Sequence, residues 1–247
     1  MSSKIKIRTY ERREAMIPIK KGIEPLELKK LREKTIKQGL SPKEAFKKLK
    51  GSLKIKVRKS LVEEQGGLCA YCMCKIPRPN VDSAIPPIII EHFIPRDPID
   101  GRDVKQGLDY TNLFAVCNGN QSSHGKHKYE DLTCDAHRKN IEFKKLNPCK
   151  PATLSSIYYT LDGQISAHDD DARFDLVNTL NLNCPSSPLV AERKSALDSL
   201  ITELGEIPEN ELLAYSRHIL NIFLSETTSK TPYVGILIWY LQSIIYD

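Results

Sequence analysis

The chain has 247 residues, 40% of them hydrophobic and 28% charged, with 37 Lys and Arg against 31 Asp and Glu. That length suits one large domain or two small ones with a real core, and it excludes a membrane span near the C-terminus, where the longest apolar stretch, Tyr233 to Gln242, falls short of the roughly 20 residues a span needs. Charge is uneven: residues 1–60 hold 20 basic and 6 acidic side chains, residues 61–140 hold 9 and 11, and residues 141–247 hold 8 and 14. The positive field therefore sits in the first quarter, where a polyanion or an acidic protein surface is its natural partner.

Met1 to Arg8 lacks the apolar core of a signal peptide, so a cytoplasmic location with no membrane partner is expected. In that setting the seven cysteines serve as metal ligands or buried thiols rather than as disulfides. Residues 1–25 alternate basic and apolar side chains and contain Pro18 and Pro25, which reads as an extended arm. A helix follows to Gly39, with Leu26, Leu28, Leu31 and Ile36 apolar among Lys, Arg and Glu. Ser41-Pro-Lys-Glu44 is a helix start in which Ser41 caps, Pro42 takes the first position and Glu44 completes a capping box. A third helix covers Leu53 to Gln65 and is broken by Gly66-Gly67.

Ile88-Ile-Ile-Glu-His reads as a buried strand that ends on an ionisable pair. Asp109 to Cys117 returns the chain, and Cys134 opens a helix through Asp135 and Lys139 that continues over Ile141 to Lys145. Asn147 to Pro151 is a turn and a candidate boundary. Ile157 to Leu161 and Gln164 to His168 form a hairpin around Asp162-Gly163. His168 to Asp171 reads as a solvated acidic loop, because consecutive residues do not converge easily on one ion. Helices over 189–204, 209–225 and 233–245 close the chain.

The chemistry lies between Cys69 and Lys139. Cys69-x-x-Cys72 is a zinc-knuckle spacing, since two intervening residues let both thiolates reach one ion from a tight turn. Cys117 and Cys134 are the expected partners, with His124 and His127 as substitute ligands. Cys74 lies too close to Cys72 to share its ion comfortably, and Cys149 and Cys184 are assigned to packing.

Taken together, CxxC, Glu91-His92-x-x-Pro95, Asn112-Leu, Cys117 and Cys134-Asp-x-x-x-Lys139 resemble the HNH (ββα-metal) endonucleases. The Ile-Glu-His-Phe and Cys-Asp-x-x-x-Lys forms look most like the HNH nuclease subunits of the Septu anti-phage defence system, also found with certain retrons. The likeness covers about residues 60–145. It implies Glu91 and Asp135 as ligands of a catalytic Mg²⁺ or Mn²⁺, with His137 as the alternative to Asp135. It further implies His92 as general base, Asn112 as the support of His92 or of the loop behind it, and structural Zn²⁺ on Cys69, Cys72, Cys117 and Cys134. Arg138, Lys139 and Lys126 would meet DNA, and a partner ATPase would control cleavage, because the chain has no phosphate-binding loop of its own. The sequence departs from many HNH chains in having Glu at 91, Asp at 135 and a widely spaced second cysteine pair.

The expected architecture is α+β and predominantly helical. A basic N-terminal region (1–60) would contact DNA or a partner, a zinc-stapled ββα-metal nuclease core (61–146) would follow, and a hairpin with C-terminal helices (147–247) would complete the chain. The rival expectation is a non-catalytic zinc-containing module that binds nucleic acid or acts as a scaffold.

Overall fold

The computed structural model describes residues 15–77, 87–97, 107–121 and 128–246. The fold is α+β, with helices and two small antiparallel sheets. No helix among the described residues is long and apolar enough to cross a membrane.

Residues 15–25 are extended, as their prolines and alternation predict, but they do not hang free. Ala15 and Met16 are fully buried, and the Ile19 amide donates to Pro148 O. Lys21 pairs with Glu64, donates to Leu113 O at 2.7 Å and lies over the Tyr110 and Phe114 rings. The arm's first 14 residues lie outside the described residues.

Helices α1 (Leu26–Lys37), α2 (Pro42–Lys47) and α3 (Gly51–Glu64) follow. The expected capping box of α2 is formed: the Glu44 amide donates to Ser41 Oγ and the Ser41 amide to Glu44 Oε2. Gly66 and Gly67 end α3 with φ of 66° and 78°, a region open to glycine at little cost.

Strands β1 (Ile89–His92) and β2 (Leu113–Val116) pair antiparallel, with Ile90 opposite Ala115 and His92 opposite Leu113. Two strands of four residues are not stable alone. Gln65, at the end of α3, completes their outer edge. Its amide donates to Leu68 O and Ala115 O, and it accepts from the Ala115 amide at 2.8 Å. One buried side chain thus joins α3, the cysteine turn and β2.

Helix α4 (Cys134–Arg138) ends sooner than its sequence predicts. The buried Asp175 carboxylate accepts from the amides of Lys144, Lys145 and Leu146 at 2.8–3.0 Å. Those amides are therefore unavailable to a helix, and residues 141–145 run as irregular chain. A short α5 (Pro151–Leu154) leads into the hairpin of β3 (Ile157–Tyr159) and β4 (Ile165–Ala167). The acidic run after His168 is not a loop. Asp169 accepts from the Ala172 amide and caps α6 (Asp170–Phe174), which continues into a π-helical turn holding Asp175. Helices α7 (Leu189–Gly205), α8 (Glu209–Ser225) and α9 (Val234–Tyr246) complete the chain. The buried apolar residues form one cluster that runs from Ala15 to Leu241.

Replacing Gln65 with Leu strands the Ala115 amide, which should cost about 2–3 kcal/mol. The expected result is a lower urea midpoint at unchanged m-value; a midpoint equal to wild type would mean that water or another side chain satisfies this edge.

Candidate metal centre and catalytic cleft

The four cysteines that spacing singles out are brought together. Cys69, Cys72, Cys117 and Cys134 are all buried, with their sulfurs within 4.8 Å of one another. The Sγ–Sγ distances are 4.0 Å for Cys69–Cys134, 3.8 Å for Cys72–Cys117 and 3.7 Å for Cys117–Cys134. A tetrahedron with Zn–S bonds of about 2.3 Å has edges of about 3.8 Å. The sulfur positions therefore match a structural zinc, and thiolates are its preferred ligands.

The backbone prepares this site. Leu68 and Lys75 form an antiparallel bridge that closes the first knuckle. The Met73 amide donates to Cys69 O, and the Cys117 amide donates to Cys69 Sγ at 3.4 Å. On the far side Gly119, at φ 63°, lies so close to Thr133 O and Ala136 that a Cβ would collide with both. Cys74 is buried beside the cluster but outside the four. Cys184 is buried and Cys149 half-buried, both elsewhere. His124 and His127, the substitute ligands, lie outside the described residues, as does Lys126.

Because Cys134 is both a cluster member and the first residue of α4, the cluster fixes that helix and the residues it carries. Asp135 of α4 and Lys139, just past its end, line one cleft, while Arg138 turns inward and His137 points away. Asp135 reaches Glu91 across the end of β1, and their carboxylates are within hydrogen-bonding range. Burial and the adjacent Asp135 push Glu91 well above the usual carboxylate range, against the downward pull of Arg138.

Arg138 is a correction to the sequence reading. It was expected to hold a phosphate, but it is completely buried. It forms an ion pair with Glu91 and donates to the carbonyls of His92, Phe93 and Ile141. A buried carboxylate beside another carboxylate needs a positive charge nearby, and Arg138 supplies one. His137 is the second correction. Its ring stacks on Tyr129 with centroids 4.2 Å apart and its Nδ1 faces Thr179 O, so it does not line the cleft that holds Glu91 and Asp135.

His92 follows Glu91 at the end of β1. Its Nε2 lies 2.9 Å from Gly107 O. A carbonyl only accepts, so Nε2 carries the proton and Nδ1 of the neutral ring keeps its lone pair. The Phe46 ring meets the imidazole edge to face at 4.6 Å. Burial, reinforced by Arg96, lowers the His92 pKa to about 3. Asn112 supports the loop behind the ring. Its side chain donates to Ile94 O and accepts from the Ile94 amide at 2.7 Å, clamping the turn behind His92.

Glu91, His92, Asp135 and Lys139 line a single cleft of about 540 Å³. Its other wall is lined by Lys54 and Arg58, from the basic N-terminal region expected to contact DNA or a partner, and by Arg96, which sequence reasoning did not single out. Tyr71, inside the knuckle, was also missed, and its hydroxyl is 3.3 Å from Glu91 Oε1 and 3.2 Å from Arg138. Tyr71 gave no sequence signal because its partners come from distant segments. Compared with known proteins, the chain matches no family model and no curated sequence.

Two measurements test this geometry. Cys134→Ser should lower bound zinc from about one ion per chain toward none and destabilise the fold by at least about 3 kcal/mol, while Cys149→Ser keeps its zinc; full zinc in Cys134→Ser would place the ligand elsewhere. Between the ordinary imidazole value of 6.5 and about 3, the unfolded chain holds more protons at His92 than the folded one. Stability should therefore fall as pH drops through that window, by at most about 1.4 kcal/mol per pH unit from this residue. His92→Asn should flatten that slope; an unchanged slope would mean that His92 titrates normally.

Proposed function

We propose that the chain is a metal-dependent endonuclease of the HNH, or ββα-metal, type that hydrolyses DNA phosphodiester bonds. The observation that carries this reading is the convergence of Glu91, His92 and Asp135 on one open cleft, with Gly107 O fixing the histidine tautomer. The order of two antiparallel strands and a short helix bearing Asp135, stapled by four cysteines, supports the same assignment.

The donor set fits a divalent cation. Two carboxylates in contact are stable only with a shared proton or a cation between them, and hard oxygen ligands favour Mg²⁺ or Mn²⁺. Glu91 and Asp135 would hold it. When bound, it supplies Lewis-acid polarisation of the scissile phosphate and offsets charge on the leaving oxygen. Arg138 and Tyr71 hold Glu91 in position. His92 takes the proton of the attacking water at Nδ1. An imidazole held near 3 accepts protons weakly, and a phosphate beside Arg96 offsets the like charge that contributes to this. Asn112 keeps the turn after His92 in place, and the exposed Lys139 meets a phosphate at the rim.

The same reading makes the chain the effector subunit of an anti-phage defence complex controlled by an ATPase. Exposed Leu213 and Leu224, about three turns apart on one face of α8, give such a partner an apolar surface.

One feature favours a second reading, a non-catalytic zinc-containing module that binds nucleic acid or acts as a scaffold. Arg138 already provides Glu91 with a counter-charge without any metal. Nicking of supercoiled plasmid with Mg²⁺ or Mn²⁺, alone and with the ATPase, separates the two. The nuclease reading expects cutting by wild type and a loss of at least about 100-fold in His92→Ala, with zinc content retained. Identical behaviour of the two proteins under every metal and partner condition would establish the second reading instead.

A further inference from the structure

The cleft has two walls of opposite sign, and the basic wall is unlike the rest of the helix that builds it. Helix α3 carries five cations, Lys54, Lys56, Arg58, Lys59 and the flanking Lys50. Lys56 pairs with Glu27 at 2.8 Å and Lys59 approaches Glu63 at 3.8 Å. Lys54 and Arg58, the two that line the cleft, have no acid partner among the described residues. They lie four residues apart, so they share one face, and like charges at that spacing oppose the helix. Arg96 joins them from the turn after β1. Its guanidinium lies 4.4 Å from the Phe46 ring and Lys54 Nζ lies 5.9 Å from the same ring, which caps their separation at about 10 Å. Arg58 Nε is buried with no hydrogen-bond partner. The neighbouring Asp97 is engaged by Lys43 rather than by Arg96.

Three cations with no ion pair among the described residues, one with an orphaned donor, gathered across from Glu91 and Asp135, describe a site for an anion. We propose that Lys54, Arg58 and Arg96 bind the DNA backbone at phosphates flanking the one held over Glu91 and Asp135. This rests on the nuclease reading for the identity of the polymer, but it concerns binding rather than cutting. A phosphate there offsets the mutual repulsion of the three cations. Arg138 takes no part, being turned inward, and Lys139 serves the opposite rim.

The test is fluorescence anisotropy of the full-length, zinc-loaded chain with a short DNA duplex in EDTA at a concentration that spares the zinc, so that no cleavage occurs. The triple variant Lys54→Ala/Arg58→Ala/Arg96→Ala should bind about tenfold or more weakly, and its log–log salt slope should shrink by about 2 to 3. Circular dichroism and zinc content should not change. A control that removes the same charge from α1, Lys29→Ala/Lys30→Ala/Lys34→Ala, should stay within about threefold of wild type. Equal losses in both variants would replace the site with a diffuse positive field, and no loss in the cleft variant would refute it outright. If inorganic phosphate or a nucleoside triphosphate displaces the duplex by filling the same site at comparable affinity, the pocket is one for free phosphates and the backbone assignment fails. Because the readout is binding, a wild type that binds through this wall but never cuts would sink the nuclease reading alone, and one that cuts without needing the wall would sink this inference alone.

Discussion

Four buried thiols drawn to within bonding reach of one ion are the constraint on which the rest of the molecule depends. Cys69 and Cys72 belong to a turn after α3, Cys117 follows β2, and Cys134 begins α4. These segments are separated by up to 65 residues, and few other interactions would bring them together. The strands between them are only four residues long, and a helix of five residues has almost no stability of its own. A metal ion shared by the four sulfurs would convert this weak set into a fixed frame, because binding free energy at a structural zinc is folding free energy. Cys134 itself takes a φ of 52°, a conformation with a backbone cost that a non-glycine residue sustains only where its surroundings demand it.

The frame then decides where charge can be placed. Helix α4 starts at a cluster member, so Asp135 is delivered beside Glu91 whatever the flanking chain does. Two carboxylates in that position would repel one another, and Arg138, one turn further on, is turned inward to meet them. Removing a guanidinium from water costs several kcal/mol. That cost is offset here by an ion pair and by three backbone carbonyls. The Arg138 donors leave the edge of β1 and the turn after it with little freedom, which is what a site needs if its ligands are to stay in place.

Much of this was legible in the sequence because it is local. The capping box at Ser41 and Glu44, the apolar spacing of α1, α3, α7 and α8, the Asp162-Gly163 turn and the CxxC spacing each carry their meaning within a few residues. What was not legible is long-range. Residues 141–145 read as helix, yet the amides of Lys144 and Lys145 are taken by Asp175 some 30 residues away. Arg138 and Lys139 are adjacent in sequence and equal in charge, and only the partners of α4 decide that one is buried and the other exposed. The acidic run at 169–171 looked like a solvated loop because a helix cap and a loop use the same residues.

The same limit explains why the basic character of the first 60 residues was visible while its use was not. A count of lysines gives a field and a class of partner, but it cannot separate cations that are already neutralised from those that are free. In α3 the two kinds alternate along one helix: Lys56 and Lys59 have acidic neighbours, and Lys54 and Arg58 have no ion-pair partner among the described residues. The difference is one of position: Lys56 reaches Glu27 on α1, Lys59 approaches Glu63 of its own helix, and Lys54 and Arg58 line the cleft. A helix that packs one side on its own domain and turns two unpaired cations toward a cleft floored by carboxylates sets up opposite fields across a narrow gap. Such a gap favours ligands that carry negative charge along one side and a cation on the other, a pattern that a phosphodiester with a bound divalent ion satisfies and a neutral metabolite does not.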